Sequence, residues 1–268
     1  MDVPGFALIT GAASGMGKET AKKFAQDGAA GAALLDLNAD ALEKVKSEVQ
    51  PLSNNKNFKI VTHALDVSDE EAVMKAVESV KESFGRIDYA VNAAGIAFKH
   101  EGGGAFAETK DYRKVLAVNL DGTFFVMRAV AKTMLEQSPL KSSIDGRELG
   151  RGSIVNFASV AGLTGIGLST AYTASKHAVI GLTKTMSEDY AAKGLRFNAV
   201  CPGYMDTPMT RQNEVISKAF DERVANWTPM GRAGQPGEVA DAVIFLCGGR
   251  SSFVTGSAMV VDGGYTER

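Results

Sequence analysis

The sequence predicts an α/β fold, a doubly wound sheet of seven parallel strands with helices on both faces. Seven short apolar segments alternate with helical segments along the whole chain, and the rule of right-handed crossovers turns such an alternation into a parallel sheet. The second apolar segment, 29–35, is almost wholly apolar, which is typical of a strand covered on both faces. Polar or small residues directly follow several of these segments, and ligands of such sheets bind at the carboxyl ends of the strands.

Each predicted strand is a short, mostly apolar run, and the runs are separated by glycine, proline or polar residues. We place the strands at 6–10, 29–35, 58–64, 87–92, 152–158, 196–201 and 258–262. The helices are recognised by helix-forming residues, by apolar residues on one face and by capping residues at their ends. We place them at 19–27, 38–50, 68–84, 111–136, 170–193, 214–226 and 236–246.

Three further features concern helix ends and the surface. Ser68, with Glu71 three residues on, is predicted to form a capping box at the start of the third helix. The glycine-bearing segment 97–109 is predicted to be an exposed, mobile loop, and the polar segment 138–151 a surface insertion rather than a substrate element. Residues 204–232 have the length and composition of a lid.

Composition excludes several classes of protein. A chain of 268 residues with 45% hydrophobic content can bury a substantial core as one domain, 1–268. The net charge of −2 provides no electrostatic surface for nucleic acid. No apolar run is long enough to span a bilayer, and the first residues lack the basic and apolar regions of a signal peptide. We therefore expect a cytoplasmic protein without nucleic-acid or membrane partners.

Cysteine and histidine usage indicates neither disulfides nor a metal site. Cys201 and Cys247 both lie in apolar surroundings, which favours buried free thiols. The histidines lack any metal-ligand spacing; they are His63, His100 and His177.

A glycine-bearing turn joins the first strand to the first helix. Gly11, Gly15 and Gly17 carry no Cβ atom, so a ligand can approach the backbone N–H groups at the helix start. Asp36 ends the second strand, where a carboxylate can accept hydrogen bonds from a ribose diol. Three glycines alone are equally compatible with a plain tight turn. The flanking strands and Asp36 make a dinucleotide site the favoured interpretation.

A second group of residues has the chemistry for proton transfer. Tyr172 and Lys176 are four residues apart on a predicted helix and therefore share a face. A free phenol titrates near 10, and we expect the ammonium to lower that pKa. Ser159 follows a strand and can hydrogen-bond a substrate oxygen, and Asn119 can connect Lys176 to solvent through water. Taken singly, each residue is more simply explained by packing or capping.

Together, these motifs resemble the short-chain dehydrogenase/reductase family over essentially the whole chain. The resemblance rests on the motifs 10–17, Asp66, 92–95, Asn119, Ser159, 172–176 and 202–203, in this order. It implies a Rossmann-type fold and a catalytic tetrad of Asn119, Ser159, Tyr172 and Lys176. It also implies a nucleotide-binding half in about 1–150, with the catalytic residues and the substrate lid in about 151–268. One departure is Ala93, where the family commonly has asparagine.

The resemblance also implies which residues hold the cofactor. Lys176 would contact the nicotinamide ribose, Asp66 and Val67 would flank the adenine, and Thr207 would hold the carboxamide. The full set assigned to the cofactor is Gly11, Ser14, Gly15, Met16, Gly17, Asp36, Leu37, Asp66, Val67, Asn92, Ala93, Ala94, Gly95, Tyr172, Lys176, Pro202, Gly203, Met205, Thr207 and Met209.

The charge of Asp36 favours NAD over NADP. A carboxylate repels a 2′-phosphate and pairs with a free 2′-hydroxyl, and neither Ser14, Leu37 nor Asn38 supplies a compensating cation. Because the cellular NAD pool is mostly oxidised, alcohol oxidation is the expected direction.

The substrate is predicted to be an apolar or cyclic secondary alcohol or ketone. The expected pocket offers apolar and aromatic side chains with few fixed charges, namely Phe98, Leu163, Ile166, Leu168, Tyr204, Met209 and Trp227. Sugar or polyol oxidation and β-ketoacyl reduction remain open within the same family.

Two other classes of function remain open. The fold can serve as a binding module without catalysis, or use a bound nucleotide for lyase or isomerase chemistry. The long helices resemble those through which relatives form homotetramers, so a homodimer or homotetramer is expected.

Overall fold

Seven parallel strands form the central sheet of this computed structural model, which describes residues 2–211 and 214–267. The strand order is β3-β2-β1-β4-β7-β8-β9, so the order reverses between β1 and β4. This is the predicted doubly wound sheet. The strands are β1 (Phe6–Thr10), β2 (Gly31–Asp36), β3 (Lys59–Ala64), β4 (Tyr89–Asn92), β7 (Gly152–Phe157), β8 (Leu195–Pro202) and β9 (Ala258–Val261).

Helices follow the strands nearly as predicted, with ends that differ by a few residues. They are α1 (Gly15–Gln26), α2 (Ala39–Val49), α3 (Glu70–Phe84), α4 (Thr109–Leu116), α5 (Thr123–Glu136), α6 (Thr170–Tyr190), α7 (Glu214–Trp227) and α8 (Pro236–Cys247). Within residues 2–211 and 214–267, none of the helices combines the length and apolar character needed to cross a bilayer.

Both faces of the sheet are buried, as the apolar strands predict. Alternate residues of β1 point to opposite faces, so Ala7 and Ile9 belong to one hydrophobic cluster and Leu8 to another. The first cluster includes Phe24 of α1, and the second includes Met127 of α5. The sheet therefore lies between two helical layers and its carboxyl edge is left for ligands.

The long helix predicted at 111–136 is interrupted. Residues Ala117–Gly122 adopt a π-helical turn between α4 and α5, and Asn119 lies inside it. A Cβ atom on Gly122 would come within 2.7 Å of the Val67 side chain, so this turn packs closely against the loop after β3. Such π-turns are rare and often occur at functional sites.

The insertion at 138–151 forms a small antiparallel hairpin of β5 (Leu140–Lys141) and β6 (Glu148–Gly150). Asp2 accepts hydrogen bonds from the Ser143 backbone N–H (3.0 Å) and hydroxyl (2.7 Å), which fastens the hairpin to the start of the chain. The hairpin lies where β7 begins, at the opposite edge of the sheet from the carboxyl ends of the strands.

The predicted capping box at Ser68 is wrong. Asp69 is the N-cap of α3, and its carboxylate accepts a hydrogen bond from the Ala72 N–H at 3.0 Å. The Ser68 hydroxyl instead donates to Asp66 at 2.7 Å. The Ser68 hydroxyl therefore binds the carboxylate of Asp66, just after β3, and does not cap α3.

Replacing Asp69 by alanine should lower the free energy of unfolding by about 1 kcal/mol, because an N–H at the start of α3 loses its acceptor. Asp69→Asn keeps an acceptor of the same geometry and should remain within a few tenths of a kcal/mol of the wild type. Urea unfolding of the three proteins measures the difference. Equal losses in both variants would contradict the N-cap assignment.

Candidate active site

A cleft of about 470 Å³ opens at the carboxyl edge of the sheet, next to the point where the strand order reverses. Its walls come from the glycine turn, from the ends of β2, β3 and β4, and from the start of the lid. The lining residues are Gly11, Ser14, Gly15, Met16, Gly17, Asp36, Leu37, Leu65, Asp66, Val67, Ala93, Ala94, Gly95, Ile96, Lys114, Val118, Thr207, Pro208 and Met209.

The glycine turn has room only for glycine at two of its positions. Gly11 has φ +64°, and a Cβ atom there would lie 2.7 Å from the Ala94 nitrogen. A Cβ atom on Gly17 would lie 2.2 Å from the Gly11 carbonyl oxygen. The helix α1 starts at this turn, and the first N–H groups of a helix have no intrahelical partners. The turn is thus suited to hold an anionic phosphate.

Asp36 is fixed on the wall of the cleft by two backbone groups. Its carboxylate accepts hydrogen bonds from the N–H of Ala13 (3.1 Å) and from the N–H of Asn38 (3.2 Å). The first of these bonds ties the end of β2 to the glycine turn. Leu37 beside it is 70% exposed. The carboxylate therefore faces a site with no cation in the adjacent residues.

Ser159, Tyr172 and Lys176 come together beyond β7. The Ser159 hydroxyl accepts a hydrogen bond from the Ala161 N–H at 3.1 Å, and it interacts with the phenol of Tyr172 and lowers its pKa. The Lys176 ammonium lies 5.5 Å from the centre of the Tyr172 ring and donates to the Phe157 carbonyl at 2.5 Å. The end of β7 and the first turns of α6 thus bring a hydroxyl, a phenol and an ammonium together.

Asn119 joins this group to the cleft. Its side chain accepts from the Ile96 N–H (2.8 Å) and donates to the Ile96 carbonyl (2.9 Å) and to the Ser175 hydroxyl (3.2 Å). A Cβ atom on Gly95 would lie 3.3 Å from the Asn119 oxygen and 3.6 Å from the Lys176 nitrogen. Gly95 lines the cleft, so Asn119 and Lys176 lie directly behind this glycine. The proposed water link from Asn119 to Lys176 stays a prediction.

Known proteins resemble this chain over its whole length. A family model described as enoyl-(acyl carrier protein) reductase matches residues 11–266. The short-chain dehydrogenase fogB of Aspergillus ruber is 41% identical, with 99% of this chain and 98% of the relative covered. The chain belongs to the short-chain dehydrogenase/reductase family, and the resemblance seen in its motifs is confirmed.

Two more members of this oxidoreductase family match closely. Cyclohexanol dehydrogenase of an Acinetobacter species is 38% identical, with 98% of this chain and 95% of the relative covered. The crystal structure of levodione reductase is 35% identical, covers 98% of both chains and superimposes with a TM-score of 0.88. The predicted fold is thereby confirmed.

Burial has the largest effect on the pKa values of Tyr172 and Lys176 in this family member. Burial of the hydroxyl raises the pKa of Tyr172, while the hydrogen bond from Ser159 lowers it. Burial also lowers the pKa of Lys176 to about 8. We expected the Lys176 ammonium, helped by the positive nicotinamide of an oxidised cofactor, to lower the pKa of Tyr172. Within the protein itself the direction is the opposite, because loss of water disfavours the tyrosinate more than its neighbours favour it.

Six residues assigned to the cofactor do not line the cleft. Lys176 lies behind Gly95, and the Tyr172 ring is 5.5 Å from its ammonium. The Asn92 side chain is buried and donates to the Asn156 side chain at 2.8 Å, so it connects β4 to β7. The other three, Pro202, Gly203 and Met205, lie at the end of β8 and just beyond it. Their contact with a dinucleotide stays a prediction.

The predicted substrate residues lie around the same edge but not in one cavity of the described chain. Met209 lines the cleft, whereas Leu163, Leu168 and Trp227 are exposed. The remaining three are Phe98, which lies 5.9 Å from the Lys114 ammonium, the partly buried Ile166, and Tyr204. The segment 97–109 is not wholly exposed, because His100 is buried and its N–H donates to the Leu168 carbonyl at 3.0 Å.

Sequence reasoning missed three side chains at this edge. Lys114 lines the cleft from α4, and Ser175 contacts Asn119. Tyr265 packs edge-on against Tyr204 with ring centres 5.3 Å apart. Of these three, the sequence indicated only Ser175, which directly precedes Lys176 in the motif 172–176. Within residues 2–211 and 214–267, no three His, Cys, Asp or Glu side chains could together hold a metal ion.

The lowered pKa of Lys176 makes stability depend on pH. Since the unfolded chain holds this proton up to about 10.5 and the folded chain only up to about 8, raising the pH through that window favours the folded wild type. Relative to Lys176→Met, the wild type should gain up to about 3 kcal/mol of unfolding free energy across the window.

Urea unfolding of both proteins between pH 7.5 and about 10 measures this change. Lys184→Met, at an exposed position of the same helix, is the matched control and should differ from the wild type by a constant amount. A constant difference for Lys176→Met as well would mean that burial does not depress its pKa.

Proposed function

We propose that this protein is an NAD(H)-dependent oxidoreductase that interconverts a secondary alcohol and a ketone, with Tyr172 as acid and base. The single observation that carries the proposal is the position of Gly95. Gly95 lines the same cleft as Asp36, and its Cβ position lies 3.6 Å from the Lys176 nitrogen, which is grouped with Tyr172 and Ser159. A dinucleotide in that cleft would have one end at the carboxylate and the other beside the phenol.

The residues of the cleft fit a dinucleotide. The glycine turn leaves room for a pyrophosphate, since Cβ atoms at Gly11 and Gly17 would collide with backbone. Asp36 would accept hydrogen bonds from the adenosine ribose, Asp66 and Val67 would flank the adenine, and Thr207 would hold the carboxamide. When bound, the cofactor supplies the hydride acceptor or donor.

The charge of Asp36 supports NAD rather than NADP. Its carboxylate already accepts two backbone N–H groups, which hold it in place on the cleft wall. Among the described residues, Lys114 of α4 is the single cation that lines this cleft. A 2′-phosphate beside Asp36 would meet like charge.

The catalytic residues can exchange a proton with a substrate oxygen. Ser159 would hydrogen-bond that oxygen, and the phenol would lie within reach of it. The raised pKa keeps Tyr172 protonated, which suits proton donation during ketone reduction. For alcohol oxidation the phenol must lose its proton. The Lys176 ammonium, together with positive charge brought by an oxidised cofactor, lowers the free energy of that loss.

The substrate proposed is an apolar or cyclic secondary alcohol or ketone. Support comes from the apolar side chains at this edge, such as Ile166 and Met209, and from the names of two relatives that act on ring compounds. The β-ketoacyl substrate is the second candidate, favoured by the acyl-carrier-protein description of the matching family model.

A cytoplasmic homodimer or homotetramer is also proposed, supported by the length of α6 and of α4 with α5.

NADH should bind more tightly than NADPH, because Asp36 pairs with a free hydroxyl and repels a phosphate. Asp36→Asn removes the charge and should weaken NADH binding about tenfold, while NADPH binding improves relative to NADH. Fluorescence titration with both nucleotides measures the constants, and Asp40→Asn on α2 is the charge-matched control. Tighter binding of NADPH to the wild type would refute the NAD assignment.

Tyr172→Phe should lower kcat on cyclohexanol or a related ring alcohol about a hundredfold to ten-thousandfold, because the acid and base is lost. NADH should still bind with an affinity close to that of the wild type. Tyr190→Phe, at the far end of the same helix, is the control and should keep its turnover. Turnover is followed by NADH absorbance over a panel of cyclic and linear secondary alcohols. Unchanged kcat in Tyr172→Phe would remove this residue from the mechanism.

A further inference from the structure

Lys114 brings a positive charge to the wall of the cleft. It lines the cleft together with Val118, which lies about one helical turn further along the chain. Within the described parts of the chain, no carboxylate lies within 4 Å of the Lys114 ammonium. Lys110 of the same helix differs, because it is paired with Glu108 at 2.7 Å. The charge of Lys114 is therefore available to a ligand.

Lys114 and the glycine turn belong to opposite walls of the cleft. Helix α1, which starts at the turn, contributes Phe24 to one hydrophobic cluster of the sheet. Val118 packs against the other cluster, which includes Met127 of α5. These two clusters cover opposite faces of the sheet. A ligand at the carboxyl edge is therefore flanked by backbone N–H groups on one side and by Lys114 on the other.

The cleft between these walls is narrow at its floor. A Cβ atom on Gly11 would lie 2.7 Å from the Ala94 nitrogen, and a Cβ atom on Gly95 would lie 3.3 Å from the Asn119 oxygen. Two residues of chain thus separate the glycine turn from the π-helical turn. Lys114 lies five residues before Asn119, which displaces it about 7 Å along the helix axis. A side chain as long as lysine can therefore reach a phosphate held at the glycine turn.

The Phe98 ring helps to fix the direction of this side chain. The Lys114 ammonium lies 5.9 Å from the centre of the ring, within the range of a cation–π contact. Phe98 follows the cleft residue Ile96 by two positions, so the contact keeps the ammonium on the side of α4 that faces the cleft. Because Lys114 is exposed, this contact is weak, and an anion can replace it.

The charges of the cleft favour an anion beside Lys114. Its described lining contains two carboxylates, Asp36 and Asp66, and this one ammonium. The pyrophosphate of a dinucleotide is itself an anion, and like charges repel. Without Lys114, the charged side chains around that pyrophosphate would all be carboxylates. Lys114 is thus the side chain that can offset them.

We propose that Lys114 is a second phosphate-binding element of the cleft, whose ammonium pairs with the pyrophosphate of the dinucleotide from the wall opposite the glycine turn. This inference rests on the proposed function and adds to it a cofactor residue outside the motifs that identify the family. The contribution of Lys114 depends on the pyrophosphate, which NADH and NADPH share. It therefore strengthens the binding of both, whereas Asp36 distinguishes between them.

A series of ligands that differ in phosphate content tests the pairing. Calorimetric titration of the wild type and Lys114→Gln with adenosine, ADP, NADH and NADPH needs no turnover. Lys114→Gln should weaken the binding of ADP and of both dinucleotides about fivefold, as for an exposed ion pair, and leave adenosine unchanged. Lys114→Arg should keep most of the affinity, because it keeps the charge. Added salt should reduce the difference between the wild type and Lys114→Gln.

Lys132→Gln is the matched control. It removes an exposed cation from α5, outside the lining of the cleft, and should bind every ligand as the wild type does. Equal affinities of the wild type and Lys114→Gln for ADP and NADH would overturn the inference. A loss confined to NADPH would place the ammonium at the 2′-phosphate, and an equal loss for adenosine would mean a structural effect; either result also overturns it.

Binding and turnover separate the failure of this inference from that of the proposed function. If Lys114→Gln loses affinity for ADP and NADH while the wild type converts no secondary alcohol or ketone, the pairing stands and only the oxidoreductase assignment fails. If both proteins convert alcohols with the same KM for NAD, the oxidoreductase stands and the pairing fails. A wild type that binds neither ADP nor NADH would overturn both.

Discussion

The amide of Asn119 is the contact on which the geometry of the site depends. By binding both the N–H and the carbonyl of Ile96, it fixes the backbone that leaves β4, and through Ser175 it fixes the same backbone to α6. The π-helical turn is what points this side chain inward, and its burial excludes water from competing for the three bonds. The cleft and the proton-transfer group therefore keep one relative position.

Burial, rather than a neighbouring charge, has the largest effect on the pKa values of Tyr172 and Lys176. Both Tyr172 and Lys176 lose water when α6 packs over the end of β7, and each is pushed toward its neutral form. The phenol of Tyr172 therefore keeps its proton, as the proposed role of proton donor requires. In the proposed mechanism, positive charge on an oxidised cofactor would favour the tyrosinate, which would couple the redox state of the cofactor to the direction of proton transfer.

Much of the fold could be read from the sequence because each strand is apolar on both faces, and because glycines at Gly11 and Gly17 admit no other side chain. The proximity of Tyr172 and Lys176 could also be predicted, since residues four apart share a helix face. The N-cap at Asp69 could not be predicted, because serine and aspartate are both good N-caps. Only the bond between Ser68 and Asp66 decides between Ser68 and Asp69. The π-turn and the direction of the Tyr172 pKa depend on tertiary packing, which no local pattern encodes.

The hairpin of β5 and β6 has a practical consequence for handling the enzyme. Its tip, with Ile144 65% exposed, lies at the edge of the sheet away from the cleft and from the lid. The turn itself is anchored at Ser143, next to Ile144, by bonds to Asp2 that span 141 positions of sequence. A cysteine introduced at this tip offers a point for tethering the enzyme to a solid support, with the entrance for substrate oriented outward.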